Sequence, residues 1–419
     1  MTRISKLQDS LNNSCNYLIS KQNQNGSWSD IEDPEISRDS LYKQPIVATA
    51  QAIKALIFNL KPEYIKRIQK ATNYCNSVNT ENINDSGILA WKLSGLTYSN
   101  IKIHNQEAEK ILHTLISKQE PKGFWTEYPS TNYIVNYNVM EALKHHQIPD
   151  KSKDKFITWT ESSRAKDGGW SFTPNEERGY ITATTSSIFS LLNAGKNASS
   201  EIFEELRTFL EEQQFEDGHW NAKFEDGHRN GEATAAAALC LLIISENPFN
   251  KNVEKAIDYL MELQTKEGHY SREAIHSIRY INHLLSFYIY LKQNWETDES
   301  KILKKTIGNN KDVTNFYYHK FERHLRSKLN LMSHQSILTS KVLGTTLRAI
   351  KRRLEIVSIL NEKGTLGVAE IIDNLREIDE YKYLKKKTHL TQIKSDVEYL
   401  KEINIVHEGE QGYYLGFKI

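Results

Sequence analysis

The stretch that decides the fold is LEEQQFEDGHW, residues 210–220. In it, Leu210, Gln214, Gly218 and Trp220 follow one another at intervals of four, four and two residues. The same intervals separate the same residue types in three other stretches, with Tyr replacing Trp in the last: LISKQNQNGSW (18–28), LISKQEPKGFW (115–125) and LMELQTKEGHY (260–270). One spacing that recurs at distant places predicts a repeat architecture, in which each copy folds as one small unit.

Two further copies of the pattern are weaker. TESSRAKDGGW (160–170) keeps the glycine and the tryptophan but has Thr160 and Arg164 where leucine and glutamine are expected. ATNYCNSVNTENINDSGILAW (71–91) lies in the long interval between the first two strong copies and fits there as a decayed one. We therefore predict six copies, and the aromatic positions of the last four are about 50 residues apart.

Each copy predicts a pair of helices. The glycine adopts a backbone conformation that side chains resist, and so ends a charged, amphipathic outer helix such as SSEIFEELRTFLEEQ (199–213). A segment poor in charge follows, such as EATAAAALCLLI (232–243), as expected for a buried inner helix. Six outer and six inner helices can close a ring. The expected fold is therefore mainly α, a six-hairpin α/α toroid over residues 1–295.

The repeat resembles the QW repeats of squalene–hopene cyclases and of protein prenyltransferase β subunits, over residues 5–295. In the cyclases an Asp-x-Asp-Asp motif protonates the substrate, and in the prenyltransferases Asp, Cys and His hold zinc. This sequence has no Asp-x-Asp-Asp, and Cys240 stands in an apolar segment with no Asp two residues away. We expect no cofactor and no metal, and favour a protein that is not an enzyme.

Composition excludes several classes of protein. Of the 419 residues, 39% are hydrophobic and 26% charged, and no apolar run approaches the length of a membrane span. The three cysteines are far apart and form no disulfide framework, which favours a reducing, cytoplasmic location. Residues 296–419 carry 22 basic against 17 acidic residues, a mild excess that favours an anionic partner for that part.

Polar side chains recur where the sequence predicts the inner face of the ring. In the last inner helix, four basic residues follow at intervals of four, three and four, so they share one face. The candidate ligand residues of the lumen are Tyr137, Arg178, Tyr180, Arg229, Glu232, Arg272, His276, Arg279 and His283. Such a lumen suits a polar or anionic ligand better than an isoprenoid. Alternatively, these charges pair across the ring or face a partner at its rim.

The C-terminal part lacks the repeat. Residues 296–344 read as a helical connector, and 345–419 as helix, turn, helix, helix and two strands around a glycine-rich turn. The last segment resembles the winged helix-turn-helix of WYL-domain transcription regulators. The matching stretches are IKSDVEYL (393–400) and EQGYYL (410–415). That resemblance implies a DNA-binding module, whereas many winged helices dock on proteins instead.

In a DNA-binding reading, the third helix enters the major groove and nearby basic residues contact phosphates. The candidate residues are Arg352, Arg353, Lys385, Lys386, Lys387, Thr388, Thr391, Gln392 and Lys394. Residues 351–419 carry 12 basic and 12 acidic residues, however, and this balance keeps the protein-docking alternative open.

Two functional hypotheses follow from the sequence. In the first, the toroid is a scaffold or ligand sensor, joined to a winged helix that contacts DNA or a protein partner; one variant makes the chain a subunit of a regulatory, genome-maintenance or defence assembly. In the second, the chain is a terpenoid cyclase-like or prenyltransferase-like enzyme with a rearranged active site. The missing catalytic motifs favour the first.

Overall fold

The structure is a computed structural model of the 419-residue chain. It describes residues 2–29, 44–80, 83–98, 106–126, 133–144, 146, 148–174, 176–222, 230–270, 274–307, 310–341, 347–378, 386–402, 406–409 and 411–415. By compactness the chain divides into two units, residues 1–325 and 326–419.

The first unit alternates outer and inner helices. The outer helices are α1 (Arg3–Ser20), α3 (Ile65–Ser77), α5 (Gln106–Ser117), α7 (Asp150–Ser162), α9 (Glu201–Glu212) and α11 (Lys251–Leu263). The inner helices are α2 (Pro45–Phe58), α4 (Ser86–Tyr98), α6 (Tyr133–Leu143), α8 (Ile181–Asn193), α10 (Asn230–Ile244) and α12 (Ala274–Asn294). Every residue of α10 from Gly231 to Ile244 is buried, whereas α9 buries only one side of an amphipathic helix.

The inner helices form a closed ring. Each packs against the next in chain order, and α12 packs back on α2. The outer layer closes as well, because Gln264 at the end of α11 donates a hydrogen bond to the Ser10 carbonyl of α1 (2.9 Å). The hydroxyls of Tyr270 and Ser10 lie 2.6 Å apart at the same junction. The predicted mainly α fold, with a six-hairpin α/α toroid, is confirmed.

The glutamine and glycine of the repeat join one outer helix to the next. After α9, the Gln214 amide donates to the carbonyls of Gly218 (2.9 Å) and of Asn252 in α11 (2.9 Å). Gly218 has a φ of 100°, and a Cβ there would lie 2.6 Å from the Lys255 carbonyl oxygen. Only glycine combines this backbone conformation with so close an approach of another backbone.

The aromatic residue of the repeat ties the turn to both helices of its pair. The Trp220 indole donates to the Leu210 carbonyl of α9 (2.7 Å), and its backbone N–H donates to the Thr234 hydroxyl of α10 (3.0 Å). The same indole bond recurs from Trp28 to Leu18, from Trp125 to Leu115 and from Trp170 to Thr160. The interval between these two positions in the sequence therefore corresponds to a hydrogen bond in each of these copies.

In the weaker copies, other residues form the contacts that link one outer helix to the next. Arg164 stands where glutamine is expected and donates to the Gly168 carbonyl (2.8 Å), while it pairs with Glu205 of the next outer helix (2.6 Å). Directly after the decayed copy, Lys92 of α4 donates to the Val78 carbonyl (2.6 Å) and pairs with a glutamate of α5 (2.7 Å). The architecture thus persists where the pattern is lost.

Two helices, α13 (Asp298–Ile307) and α14 (Asn310–Lys341), follow the ring. The first compact unit extends to Leu325 and so includes the first half of α14. The predicted division of the chain into residues 1–295, 296–344 and 345–419 stays a prediction.

In its described residues, the second unit contains the second half of α14, three further helices and a hairpin. These are α15 (Leu347–Lys363), α16 (Val368–Glu377), α17 (Lys386–Glu402), β1 (Val406–Gly409) and β2 (Gly412–Leu415). The two strands are antiparallel, and Leu366, between α15 and α16, forms a bridge with Tyr413 of β2. Apolar residues of all three helices and of β1 form one small core, with Ile356, Ile371 and Val397 fully buried in it.

Candidate ligand site in the ring lumen

Charged side chains meet across the centre of the ring. Glu141 of α6 pairs with Lys54 of α2, although these two helices are not neighbours in the ring. The same carboxylate accepts hydrogen bonds from the Tyr98 hydroxyl (2.5 Å) and the Asn193 amide (3.0 Å), and lies 3.1 Å from the Lys144 ammonium. Glu141 is 3% exposed. Its oxygens are therefore saturated inside the ring.

The first half of α14 contacts the lumen where α2 and α6 end. Glu322 of α14 pairs with Lys144 (2.6 Å). The ring of His283 stacks on Phe58, the last residue of α2, with 4.0 Å between the ring centroids, and lies 5.6 Å from the ring of Tyr318. Charged and aromatic side chains thus fill this end of the lumen.

Burial and neighbouring charges both shift the pKa values of Glu141, Lys54 and His283. Burial would raise the pKa of Glu141, but Lys144 and Lys54 hold that pKa well below its usual value. Burial lowers the pKa of Lys54 to about 7, against the opposing effect of Glu141. Burial also lowers the pKa of His283 well below its usual value, and Lys54 and Lys144 add to that effect. His283 is therefore neutral.

Arg279 of α12 is the exception among these buried groups. Its side chain is 2% exposed, and none of its three guanidinium nitrogens donates a hydrogen bond of normal geometry to a described residue. Three aromatic rings surround it: the guanidinium carbon lies 3.9 Å from the ring centroid of Tyr280, 4.9 Å from that of Trp91 and 6.0 Å from that of Tyr137. Such rings attract a cation but accept no strong hydrogen bonds.

A pocket of about 310 Å³, a volume that includes space open to solvent, is lined by neighbours of Arg279 but not by Arg279 itself. Two of the rings around the guanidinium, Tyr137 and Tyr280, also line this pocket. Glu232 and His276 stand in its wall, with 2.5 Å between the carboxylate Oε1 and the ring Nε2. The other lining residues are Asn138, Thr182, Thr185, Ser186 and Ala236. The wall is therefore mostly polar.

The structure brings together four of the nine predicted lumen residues: Tyr137, Glu232, His276 and Arg279. His283 lies on the same helix but at the level of Phe58 and Tyr318. Arg178 is exposed, and Tyr180 is half-buried and stacks on Phe172. Arg229 and Arg272 lie outside the described residues.

Sequence reasoning missed several residues of the lumen. Lys54 and Glu141 are single charges within apolar inner helices, a signal that the sequence does contain. Trp91, the last residue of the decayed copy, lies within α4 rather than in a turn, and contacts Arg279. Tyr280 follows Arg279 directly and stands four residues after His276, so the periodicity of the basic residues also places it beside them.

In the second unit, Arg352 and Arg353 are internal. Both are predicted to contact phosphates, but their Nε atoms donate to the two carboxylate oxygens of Asp396 at 2.6 and 2.7 Å, and they are 2% and 8% exposed. Thr391 and Lys394 are exposed on α17. Lys385 and the side chains of Lys386, Lys387, Thr388 and Gln392 lie outside the described part of the chain.

Some other features bear on function. In the described part of the chain, no cluster of three or more His, Cys, Asp or Glu side chains could hold a metal ion. None of the helices described is long and apolar enough to cross a membrane. Cys15, Cys75 and Cys240 are free and buried. The predicted cytoplasmic location stays a prediction.

Comparisons with known proteins support the ring. The family described as prenyltransferase alpha-alpha toroid domain matches residues 130–277. The type II terpene cyclase MstE from Scytonema has a similar structure, with a TM-score of 0.52 and 14% identity, over 67% of this chain and 98% of the cyclase. A variant of that cyclase in complex with its substrate, geranylgeranyl dihydroxybenzoate, gives a TM-score of 0.51 and 13% identity, over 67% and 97%.

A protein from Actinoplanes is similar to the same degree, with a TM-score of 0.50 and 12% identity, over 67% of this chain and 98% of that one. No curated protein sequence matches the chain significantly. Identities this low show the fold alone. The first unit has the α/α toroid fold found in terpene cyclases and prenyltransferases.

Proposed function

We propose that this chain is a binding protein rather than a catalyst: the toroid holds a small polar ligand, and the C-terminal unit contacts nucleic acid or docks on a partner protein. The observation that carries the first part is the charged centre of the ring. Lys54, Glu141 and Arg279 are each at most 3% exposed, and they come from three different inner helices.

An isoprenoid is a poor occupant of such a lumen. Apolar chains gain free energy when they leave water for an apolar wall, but here they would displace water from hydroxyls, an amide and a carboxylate. Each polar group left without a hydrogen bond costs about 1–3 kcal/mol. A polar ligand can replace those hydrogen bonds, and this difference supports a polar ligand over a terpenoid.

Thermal unfolding with a panel of compounds tests this part. We expect small polar acids to raise the melting temperature, and farnesyl diphosphate, geranylgeranyl diphosphate and squalene to leave it unchanged. The same isoprenoids, incubated with the protein and followed by mass spectrometry, are expected to stay intact. Turnover of any of them would support the cyclase-like or prenyltransferase-like alternative and contradict the proposal.

The proposal for the C-terminal unit rests on the order of its elements. Three helices followed by a hairpin, with a bridge from the hairpin to the segment between the first two helices, are the order of elements expected of a winged helix and support this proposal. The exposed residues Thr391 and Lys394 of α17 then belong to the contact surface. Arg352 and Arg353 do not, because they pair with Asp396 inside the unit.

A mobility-shift assay at low salt decides between the two kinds of partner. If the unit binds duplex DNA, Lys394→Glu weakens the binding, because a positive charge near the phosphates becomes negative. Lys363→Glu, the same change at an exposed site at the end of α15, is the matched control. Absence of a shift with the wild type favours docking on a protein.

A further inference from the structure

Arg279 is a buried cation whose hydrogen-bonding capacity is not satisfied, with normal geometry, by the described residues. A guanidinium offers five N–H groups. None of the three Arg279 nitrogens donates a hydrogen bond of normal geometry to a described residue, although the side chain is 2% exposed. Burial alone would lower its pKa, but Tyr280, Tyr137, Glu141 and Glu232 more than offset burial and hold that pKa above its usual value. The group is therefore permanently charged.

The other charges of the lumen each have a partner. Glu141 pairs with Lys54 and Lys144, Glu322 pairs with Lys144, and Glu232 lies against His276. An unpaired buried charge is strongly unfavourable, so proteins retain one where an oppositely charged group meets it. Among the described residues, no carboxylate forms an ion pair with Arg279, and the adjoining pocket is lined by Tyr137 and Tyr280, two of the rings that contact the guanidinium.

The charges of the described lumen residues favour a ligand with a single negative charge. Among the described residues, the lumen holds three cations, Lys54, Lys144 and Arg279, against three carboxylates, Glu141, Glu232 and Glu322. These six charges sum to zero when all of them are ionised. A monoanion is compatible with this balance. A phosphate dianion or a diphosphate would leave further negative charge uncompensated at low dielectric, which is costly.

The planar geometry of the guanidinium narrows the class of ligand further. A planar carboxylate matches the planar fork of a guanidinium and accepts two parallel hydrogen bonds from it. Beside it the pocket offers the Asn138 amide and the hydroxyls of Thr182, Thr185 and Ser186, which suit a ligand that also bears hydroxyl groups. We propose, on the basis of the proposed polar-ligand function, that Arg279 is the receptor for the carboxylate of a small hydroxylated monoacid in the lumen.

Isothermal titration calorimetry with the full-length chain tests this inference. The probes are glycolate, its neutral analogue glycolamide, and inorganic phosphate. We expect glycolate to bind and glycolamide and phosphate not to bind. Arg279→Met is expected to weaken glycolate binding roughly tenfold to hundredfold, the effect of losing hydrogen bonds to a charged group. Arg279→Lys, which keeps the charge but not the fork, is expected to lie between the two.

The control is Arg3→Met, the same substitution on the outer helix α1, where Arg3 pairs with Glu254 and Asp258. It is expected to bind glycolate as the wild type does. Circular dichroism establishes that each variant is folded. Equal glycolate affinity in wild type and Arg279→Met, or binding of phosphate but not glycolate, would overturn the inference and leave the proposed function standing. Failure of every polar compound to bind would overturn both.

Discussion

Each unit of the molecule buries arginine side chains, but the groups that surround these side chains differ between the two units. In the second unit, Arg352 and Arg353 share the carboxylate of Asp396, with both hydrogen bonds shorter than 2.8 Å. In the toroid, Arg279 is equally buried but is surrounded by aromatic rings and donates no hydrogen bond of normal geometry to a described residue. The charges of Arg352 and Arg353 are thus compensated by a carboxylate of their own unit. Arg279 has no such ion pair among the described residues, and this difference is the basis for assigning it to a ligand.

The largest effect on stability is expected at Glu141, whose carboxylate oxygens are saturated and which lies in the same lumen as Arg279. Glu141→Ala leaves Lys54 and Lys144 without their shared carboxylate and removes an acceptor from Tyr98 and Asn193. Breaking a buried pair in this way costs about 3–5 kcal/mol, and we expect the upper end here. Urea unfolding followed by tryptophan fluorescence reports on the first unit, because all seven tryptophans lie between residues 28 and 295. Glu216→Ala, an exposed site, is the control.

The second-largest effect on stability is expected at Asp396, which pairs with both Arg352 and Arg353. Asp396→Ala leaves both Arg352 and Arg353 buried without their shared carboxylate, so the opening free energy of α15 and α17 is expected to fall by about 3–5 kcal/mol. Amide hydrogen exchange of peptides from these helices measures it. Asp373→Ala, at a half-exposed carboxylate of α16, is expected to change exchange by at most about 1 kcal/mol. Similar exchange in the two variants would show that the buried pairing contributes little.

A third prediction contrasts His283 with Arg279, since a histidine can lose its charge on burial and an arginine cannot. The folded pKa of His283 lies well below its usual value, which is about 6.5 in an unfolded chain. Below that pH the unfolded chain binds a proton that the folded chain excludes, so stability falls as pH falls. Between pH 7.5 and 5.5 the loss is about 1 kcal/mol. His283→Phe should remove this part of the acid dependence in urea unfolding curves, and an unchanged slope would contradict the assignment.

The smallest effect is expected at a surface pair. Lys166 and Glu177 lie 2.5 Å apart, but both side chains are more than two-thirds exposed. Solvent screens such pairs, so Lys166→Ala should change the free energy of unfolding by less than about 1 kcal/mol. Urea unfolding in parallel with Glu141→Ala measures the contrast. A loss in the free energy of unfolding as large as that caused by Glu141→Ala would contradict the expectation that buried pairs contribute more to stability than exposed pairs.

Much of the ring could be predicted from the sequence, because the repeat is a local pattern. The intervals between Gln214, Gly218 and Trp220 are set by hydrogen bonds within one turn, so they recur wherever that turn recurs. Where another residue makes the same bond, as Arg164 does, the pattern weakens but the helix pair remains.

The lumen could be predicted only in part. The spacing of His276, Arg279 and His283 indicates a shared face, and all three are buried, but partners that come from other helices, such as Trp91 and Lys54, are set by closure of the ring. Periodicity within one segment carries no information about that closure. In the same way, nothing local to Arg352 indicates Asp396, 44 residues away.

The most direct test of the account compares one substitution at the two kinds of arginine. We predict that Arg279→Met in the ligand-free protein leaves the opening free energy of α12 unchanged or raises it by up to about 4 kcal/mol, since an unpaired buried charge is replaced by an apolar chain. Arg352→Met is predicted to lower that of α15 by about 1.5–3 kcal/mol, because a charge-assisted hydrogen bond is lost. Hydrogen exchange measures both. A loss at Arg279→Met as large as at Arg352→Met would show that Arg279 stabilises the ring, and would contradict its assignment to a ligand.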